Sequence, residues 1–224
     1  MAEFLILRLQ GVMQAWGKHT YEDYRPSELF PTRSALSGLL GACLGLDRQD
    51  SESLQALDAS YRYAVRVDQR ELNGGRLEVQ RIFDYHTINE SIRATGQVRT
   101  DPIQSYREYL YDAQFTVALS LTDTSRYTLE QLTQAVQTPV YTPFLGRHSC
   151  PLSRPLFERH CEAADAMQAL AQVEPGKGPI YSEDHPTNSR FTVRDLPRYG
   201  RSRLFDTREV YLHQPEENDV LQSI

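Results

Sequence analysis

The order in which apolar periodicity changes along the chain is what most constrains its fold. Phe4–Leu9 is a short apolar run closed by Gly11, the pattern of a buried strand. Pro31-Thr32 then introduces a helix over Thr32–Leu44, with Thr32 as N-cap and Ala35, Leu36, Leu39, Leu40, Cys43 and Leu44 on one stripe. Gly45 fits the C-terminal stop, while Gly38 and Gly41, poor helix formers, point to close packing against a sheet. Tyr63, Val65 and Val67 alternate with polar or small residues as a strand, Asn73-Gly74-Gly75 is a hairpin turn signal, and Leu77–Ile82 reads as the partner strand. Phe115, Val117, Leu119 and Leu121 form a second alternating strand, and Thr128 with Gln131 has the spacing of a capping box before a helix over Leu129–Val136. This succession is that of an α+β, ferredoxin-like or RRM-like βαββαβ fold.

Two stretches fall outside that core. Between Ile82 and Gln114 core periodicity lapses, and Arg81, Tyr85, Arg93, Arg99, Tyr106, Arg107, Tyr109 and Tyr111 predominate. A connection of this length inside a compact domain is functional or disordered, and its aromatics favour an extended arm that orders against a partner. Prolines recur from Pro139 to Pro215 and suggest a looser C-terminal half with one more helix over Ala163–Val173. The expected layout is a single domain over 1–224, with the arm inserted at about 78–114 and an irregular region at about 140–224.

Charge at first points away from nucleic acid. The 224 residues carry 24 basic and 30 acidic side chains, a formal net of −6. Of the basic residues 22 are Arg, the lysines being Lys18 and Lys177. Arg grips phosphate with a planar fork and stacks on bases, although a GC-rich genome favours Arg codons whatever the function. The charge is also uneven: segment 190–208 is net +4 and 62–107 net +2, against −3 at 47–60 and −4 at both 161–187 and 209–224. Basic stretches can therefore converge on one face.

Other classes are excluded on simpler grounds. No run of about 18 apolar residues suggests a membrane span. The opening MAEFLILRLQG reads as a strand and lacks the basic region and cleavage pattern of a signal peptide. Cys43, Cys150 and Cys161 have no CxxC spacing and the six histidines are scattered, so neither a disulfide scaffold, a metal site nor a cofactor is expected, and a reducing cytoplasm is the expected location.

Three segments can carry chemistry. Phe144–Leu152 combines Gly146, Arg147, His148 and Ser149, able to cradle a phosphodiester or to serve as a plain turn. Thr32-Arg33-Ser34, at a helix N-terminus, offers backbone N–H groups, hydroxyls and a guanidinium for phosphate, or simple capping. Trp16, the one tryptophan, can stack on a base or pack at the core edge. For metal-independent RNA cleavage Tyr85, His86, Arg147 and His148 can be cast as acid, base and cation, but no spacing compels it, so no catalytic residue is assigned.

Three longer stretches, Leu5–Gly17, Phe30–Gly45 and Tyr141–Leu152, resemble the CasD family, the small repeat-associated (RAMP superfamily) subunits of type I-E Cascade, the CRISPR surveillance complex. Asp84–Thr87, Arg107–Leu110 and Ile180–Glu183 fit as well, and the resemblance covers nearly the whole chain. It implies an RRM-like core with a protruding arm. It also implies a non-catalytic subunit that caps the 5′ handle of the crRNA, contacts a CasC-like backbone subunit and a CasA-like large subunit, and meets target DNA only indirectly. On this resemblance Arg25, Arg33, Gln104, Arg107, Arg147, His148, Ser149 and Trp16 are the expected RNA-binding residues. The alternative is a metal-independent endoribonuclease processing repeat RNA, as in type I-C systems, whose counterparts use a Tyr, a Lys and a His. Here Lys18 and Lys177 lie outside the arm and the glycine loop.

Overall fold

A computed structural model describes the chain except for residues 73–74, 78, 93–94, 99, 201–203 and 216–224, with side chains also left aside at 70–72 and 75–77. Among the described residues the fold is mixed α/β, mostly strands with four helices. In chain order the principal elements are β1 (Ala2–Gln10), α1 (Arg33–Leu44), α2 (Ser51–Ala59), β2 (Tyr61–Val67), β3 (Gln80–Ile88), β4 (Ile103–Tyr111), β5 (Gln114–Leu121), α3 (Leu129–Gln137), β6 (Phe157–Ala163), α4 (Ala166–Ala171), β7 (Ile180–Ser182), β8 (Arg190–Pro197) and β9 (Phe205–His213). No helix among the described residues is long and apolar enough to cross a membrane.

The main sheet runs β6-β1-β5-β2-β7-β9-β8, antiparallel throughout. Leu7 faces Val117, and Val117 in turn faces Val65, so the alternation seen in sequence falls into one register across three strands. Leu5, Leu7 and Leu9 of β1 join Val65, Phe115 and Val117 under α1 and α3, where Leu36, Leu40, Leu132 and Val136 close the main core. Phe4 and Ile6 face the other way, onto Ala169, Leu170 and Val173. Apolar side chains on both faces explain why β1 reads as a continuous run rather than an alternation.

At one end of that second face the sheet buries charge. Arg8, Thr116 and Arg66 are cross-strand neighbours, and all three converge on Asp68. Its carboxylate accepts from Arg8 Nη1, Arg66 Nε and Thr116 Oγ1, each at 2.7 Å. The guanidinium groups also reach carbonyls at the end of α4 and beyond it, Arg66 at Leu170 (2.5 Å) and Val173 (2.8 Å) and Arg8 at Glu174 (2.6 Å). Leu170 O, a carbonyl left open at the helix C-terminus, and two carbonyls beyond it are thereby satisfied by two cations whose charge Asp68 offsets, with Glu158 at 3.7 Å from Arg8.

Several sequence expectations change. The C-terminal half is not loose: β6, β7, β8 and β9 all join the main sheet. Its prolines fall in connections or, for Pro197, at the end of an edge strand, where no ladder bond is lost. Residues 157–163 form a strand, so the expected helix shortens to α4, capped by Asp165 accepting from Gln168 N at 2.8 Å. β2 pairs with β5 and β7, not with Leu77–Ile82; a short Arg70–Leu72 and Gly75–Leu77 pair lies between, and two residues of the expected turn, Asn73 and Gly74, are outside the described residues. The α1 glycines do not meet a sheet. Gly38 is exposed, with open space where a Cβ would sit, and Gly41 abuts Leu54 of α2. The capping box at Thr128 and Gln131 is present as read, whereas Thr32 occupies the N-cap position without a side-chain capping bond.

Asp68→Asn should leave Arg66 buried without its counter-charge and Arg8 with only Glu158, at 3.7 Å, and cost roughly 3–5 kcal/mol in denaturant unfolding. Gly38→Ala, in contrast, should stabilise the chain by about 0.5–1 kcal/mol, because the helix gains a better former in open space.

Candidate nucleic-acid interface

β3 and β4 form a nine-residue antiparallel hairpin, from Gln80 opposite Tyr111 to Ile88 opposite Ile103. This is the arm. The other edge of β4 is met near the core by Met13–Gln14 and further out by Tyr24–Arg25, the latter parallel, with Tyr24 beside Tyr106 and Arg25 beside Arg107. Side chains alternate along a strand, so the arm has two sides. Arg107, Asp84, Ser105 and Tyr109 leave on one, with Arg25 as register partner; Tyr106, Tyr85, Gln104 and Glu108 leave on the other, with Tyr24.

The Phe144–Leu152 loop closes on the base of this arm. Leu145 N donates to Cys150 O at 2.8 Å and Cys150 N to Arg147 O at 2.8 Å, a tight turn that leaves His148 and Ser149 exposed. Gly146 has φ 83°, and a Cβ there would lie 1.8 Å from the Ala15 carbonyl oxygen, so the loop's approach to the chain after β1 requires glycine. Arg147 lies over the Tyr109 ring at 4.6 Å. Its Nη1 donates to Glu108 O at 3.0 Å and its Nη2 to Arg25 O at 2.9 Å. One planar fork therefore fixes loop, arm and the Tyr24–Arg25 strand together.

Further ties weld the arm to the core. The buried Glu108 carboxylate accepts from Ser27 N at 2.9 Å, and Ser27 Oγ accepts from Trp16 N at 2.8 Å. Gln14 Nε2 donates to Ala113 O at 2.6 Å. Trp16 itself is fully buried, edge-on to Phe115 at 6.0 Å.

Arg25, Arg107 and Arg147 thus come together on one side of the arm base, with His148 and Ser149 on the adjoining turn. Arg25 is half-buried, held by the Tyr24 carbonyl at 3.1 Å and the Glu22 carbonyl, and Arg107 Nε donates to Ser105 Oγ at 3.3 Å. Gln104 is exposed on the opposite side.

Two expected contact residues are placed elsewhere. Trp16 is core, without an exposed ring face for a base. Arg33 is buried in a network of the chain's own acids: Nε donates to Asp58 at 3.0 Å and Nη1 to both Glu183 oxygens at 2.8 Å. The backbone N–H of Arg33 donates to Asp195 at 2.8 Å. The anion that this helix N-terminus attracts is therefore a carboxylate of the same chain, because Asp195 on β8 arrives where a phosphate would sit. Three arginines of the basic segment 190–208 also meet the chain's own acids. Arg208 pairs with Asp195 at 2.7 Å and Glu183 at 2.9 Å, Arg198 with Asp206 at 2.6 Å, and Arg190 with Glu209 at 3.5 Å; Arg201 and Arg203 lie outside the described residues.

Nucleophiles and metal ligands are not assembled here. The three cysteines are free and buried, and burial raises the Cys43 thiol to about 12. Burial also lifts Cys150, against the pull of Ser149 and Arg147. Among the described residues no three His, Cys, Asp or Glu side chains group as a metal site. Tyr85 and His86, as strand neighbours, point to opposite sides of the arm, and His86 pairs with Asp84 at 2.7 Å.

Arg147→Ala should release the arm base, with faster hydrogen exchange at Tyr106–Leu110. Arg147→Lys should not restore protection, since an ammonium lacks the planar fork that spans two carbonyls and stacks on Tyr109. Unchanged exchange in the alanine variant would show that the fork does not hold the arm.

Comparison with known proteins meets this geometry. The family described as CRISPR-associated protein (Cas_Cas5) matches residues 4–211. The chain is 49% identical over 217 residues to the CRISPR system Cascade subunit CasD of Escherichia coli (strain K12), covering 95% of this chain and 96% of that one. Among solved structures, a chain of a CRISPR RNA-guided surveillance complex superposes with a TM-score of 0.71 at 26% identity, covering 94% of this chain and 89% of its own. A second, the crystal structure of a Cas protein, gives a TM-score of 0.64 at 27% identity, covering 94% and 93%. The arm and the glycine loop lie within the matched residues, and the chain belongs to the CRISPR-associated Cas5 protein family.

Proposed function

We propose that this chain is a non-catalytic RNA-binding subunit of a Cascade-type surveillance complex, seating the 5′ handle of a crRNA at the base of its arm. The observation that carries the reading is the convergence of Arg25, Arg107 and Arg147 with the exposed His148–Ser149 turn on one side of the arm. Guanidinium groups and turn N–H donors held on a rigid hairpin suit phosphates, which fix register, while unstacked bases supply sequence preference. The naming of the relative as a Cascade subunit, and of the structural neighbour as an RNA-guided surveillance complex, agrees with this. A CasC-like backbone subunit and a CasA-like large subunit are the partners this role requires. The order β6-β1-β5-β2, with α1 between β1 and β2 and α3 between β5 and β6, supports a ferredoxin-like βαββαβ core to which β7, β9 and β8 are added.

Binding without cleavage is favoured by the placement of the titratable groups. An acid and a base acting on one phosphodiester must reach it from compatible directions. Tyr85 and His86 face opposite ways, and the lysines are remote in sequence from the arm and the glycine loop.

Handle RNA and a scrambled handle should be titrated against the full chain, with the CasC-like subunit present and absent. Tighter binding of the handle is expected, falling steeply with salt. The Arg25→Glu/Arg107→Glu double variant should lose most of that affinity and lower the salt slope by about 2, one per phosphate contact, whereas Arg198→Ala should leave both unchanged. Equal weak binding of the two RNAs would sink specific capping, and cleavage of repeat RNA by the chain in EDTA would replace the binder with a nuclease.

A further inference from the structure

The other side of the arm carries a second feature that the cation cluster does not use. Tyr24, Tyr106 and Tyr85 stand in one row across three adjacent strands, with Tyr106 in the middle. The rings of Tyr24 and Tyr106 are stacked, with centroids 5.2 Å apart and planes 19° apart, and Tyr85 leans on Tyr106 at 5.4 Å. None of the three is core: they are 53%, 40% and 49% exposed. Three neighbouring aromatic rings held by sheet register and left in solvent form a preordered aromatic row, the Tyr85 plane tilted 54° from that of Tyr106. Nearby, Gln104 is exposed two residues before Tyr106 on the same side. The carboxylate on this side, Glu108, is buried and already bonded to Ser27 N, with Arg81 at 3.4 Å, so it places no free negative charge on the row.

Resting on the RNA-binding reading above, we propose that Tyr24, Tyr85 and Tyr106 form a stacking platform for an unpaired base of the bound single-stranded RNA, with the Gln104 amide beside it to meet a base edge. Tyr24 and Arg25 are successive residues, as are Tyr106 and Arg107, so each pair offers a ring on one side of the arm and a guanidinium on the other. A single strand crossing the edge formed by Tyr24–Arg25 meets phosphate-binding groups on one side and aromatic faces on the other. Sheets that stack bases on exposed aromatics bind single strands in this way, and the ring accepts any base because every base has a π-face. An RNA strand is the occupant favoured over a protein because the row is continuous with the arginine cluster through these adjacent residues, and because a side-chain amide flanks it.

The test uses the full chain and handle RNA carrying 2-aminopurine at successive positions. Tyr106→Leu keeps apolar bulk but removes the ring, and should weaken binding about tenfold while leaving the salt slope unchanged. Tyr106→Phe and Tyr106→Trp should bind like the parent, and at least one 2-aminopurine position should be quenched on binding to the parent and brighter with Tyr106→Leu. If Tyr106→Leu unfolds in a thermal melt, the parent's 2-aminopurine signal and the Tyr24→Leu and Tyr85→Leu variants decide. Leucine variants that bind RNA within twofold of the parent would overturn the platform. If Arg25→Glu/Arg107→Glu still loses RNA in that case, the capping reading stands without it. Leucine variants that keep RNA but shed a co-expressed subunit would reassign the row to a protein and overturn the proposal. A parent that binds no RNA, alone or with the CasC-like subunit, would remove both readings.

Discussion

The N-terminus of α1 cannot be left bare in the interior, and much of the molecule is arranged around satisfying it. Asp195 accepts the Arg33 backbone N–H, and Glu183 and Asp58 meet the Arg33 side chain. Arg208 then closes the circuit by binding Asp195 and Glu183 together and reaching the Tyr63 hydroxyl at 2.7 Å. Buried charges persist only when paired and hydrogen-bonded. Burial raises the Glu183 carboxyl above its ordinary value, and Arg33 and Arg208 draw it back toward the ionised form. Through this circuit β7, β8 and β9 are bound to the first helix and to β2, so the C-terminal part of the chain becomes an extension of the sheet.

That circuit also shows why composition misled about charge. Twenty-two arginines suggest a chain prepared for phosphate, yet Arg8, Arg33 and Arg66 are buried, Arg208 is partly so, and all four are joined to the chain's own acids. The local surplus at 190–208 looked like a basic patch, yet among its described members Arg208 is drawn inward by Asp195 and Glu183, and Arg190 and Arg198 pair with Glu209 and Asp206 at the surface. What remains for a ligand is set by geometry: the arginines at the arm base lie where a parallel two-residue strand and a glycine turn meet a hairpin.

Local signals were legible wherever structure depends on near neighbours. The strand alternations, the glycine that ends α1, the Thr128–Gln131 box and the existence of an arm all follow from residues a few positions apart. Arg33 and Trp16 were not legible, because their partners are remote: Glu183 lies 150 residues from Arg33, and Asp195 lies 162. The same holds for Arg147, readable as a phosphate ligand in its loop yet engaged with the carbonyl of Arg25, 122 residues earlier. Gln104 and Arg107 fell together in one sequence window, but strand pleat sends them to opposite sides. A clue to the tyrosine row was present in the odd positions of β3 and the even positions of β4, though its register with Tyr24 could come only from the fold.

The hairpin is gripped at one end, and this has a mechanical consequence. Nine residues at about 3.4 Å each give it a length of roughly 30 Å. The fastenings described, from Gln14, Ser27, Arg147 and the Tyr24–Arg25 strand, run from the core end out to Tyr106. Such a beam behaves as a cantilever whose free part, three paired residues beyond Tyr106 or roughly 10 Å, swings about 2 Å for a tilt of about 10°. The stiffness of a few bonds at the root therefore sets the positional tolerance of everything the far end touches.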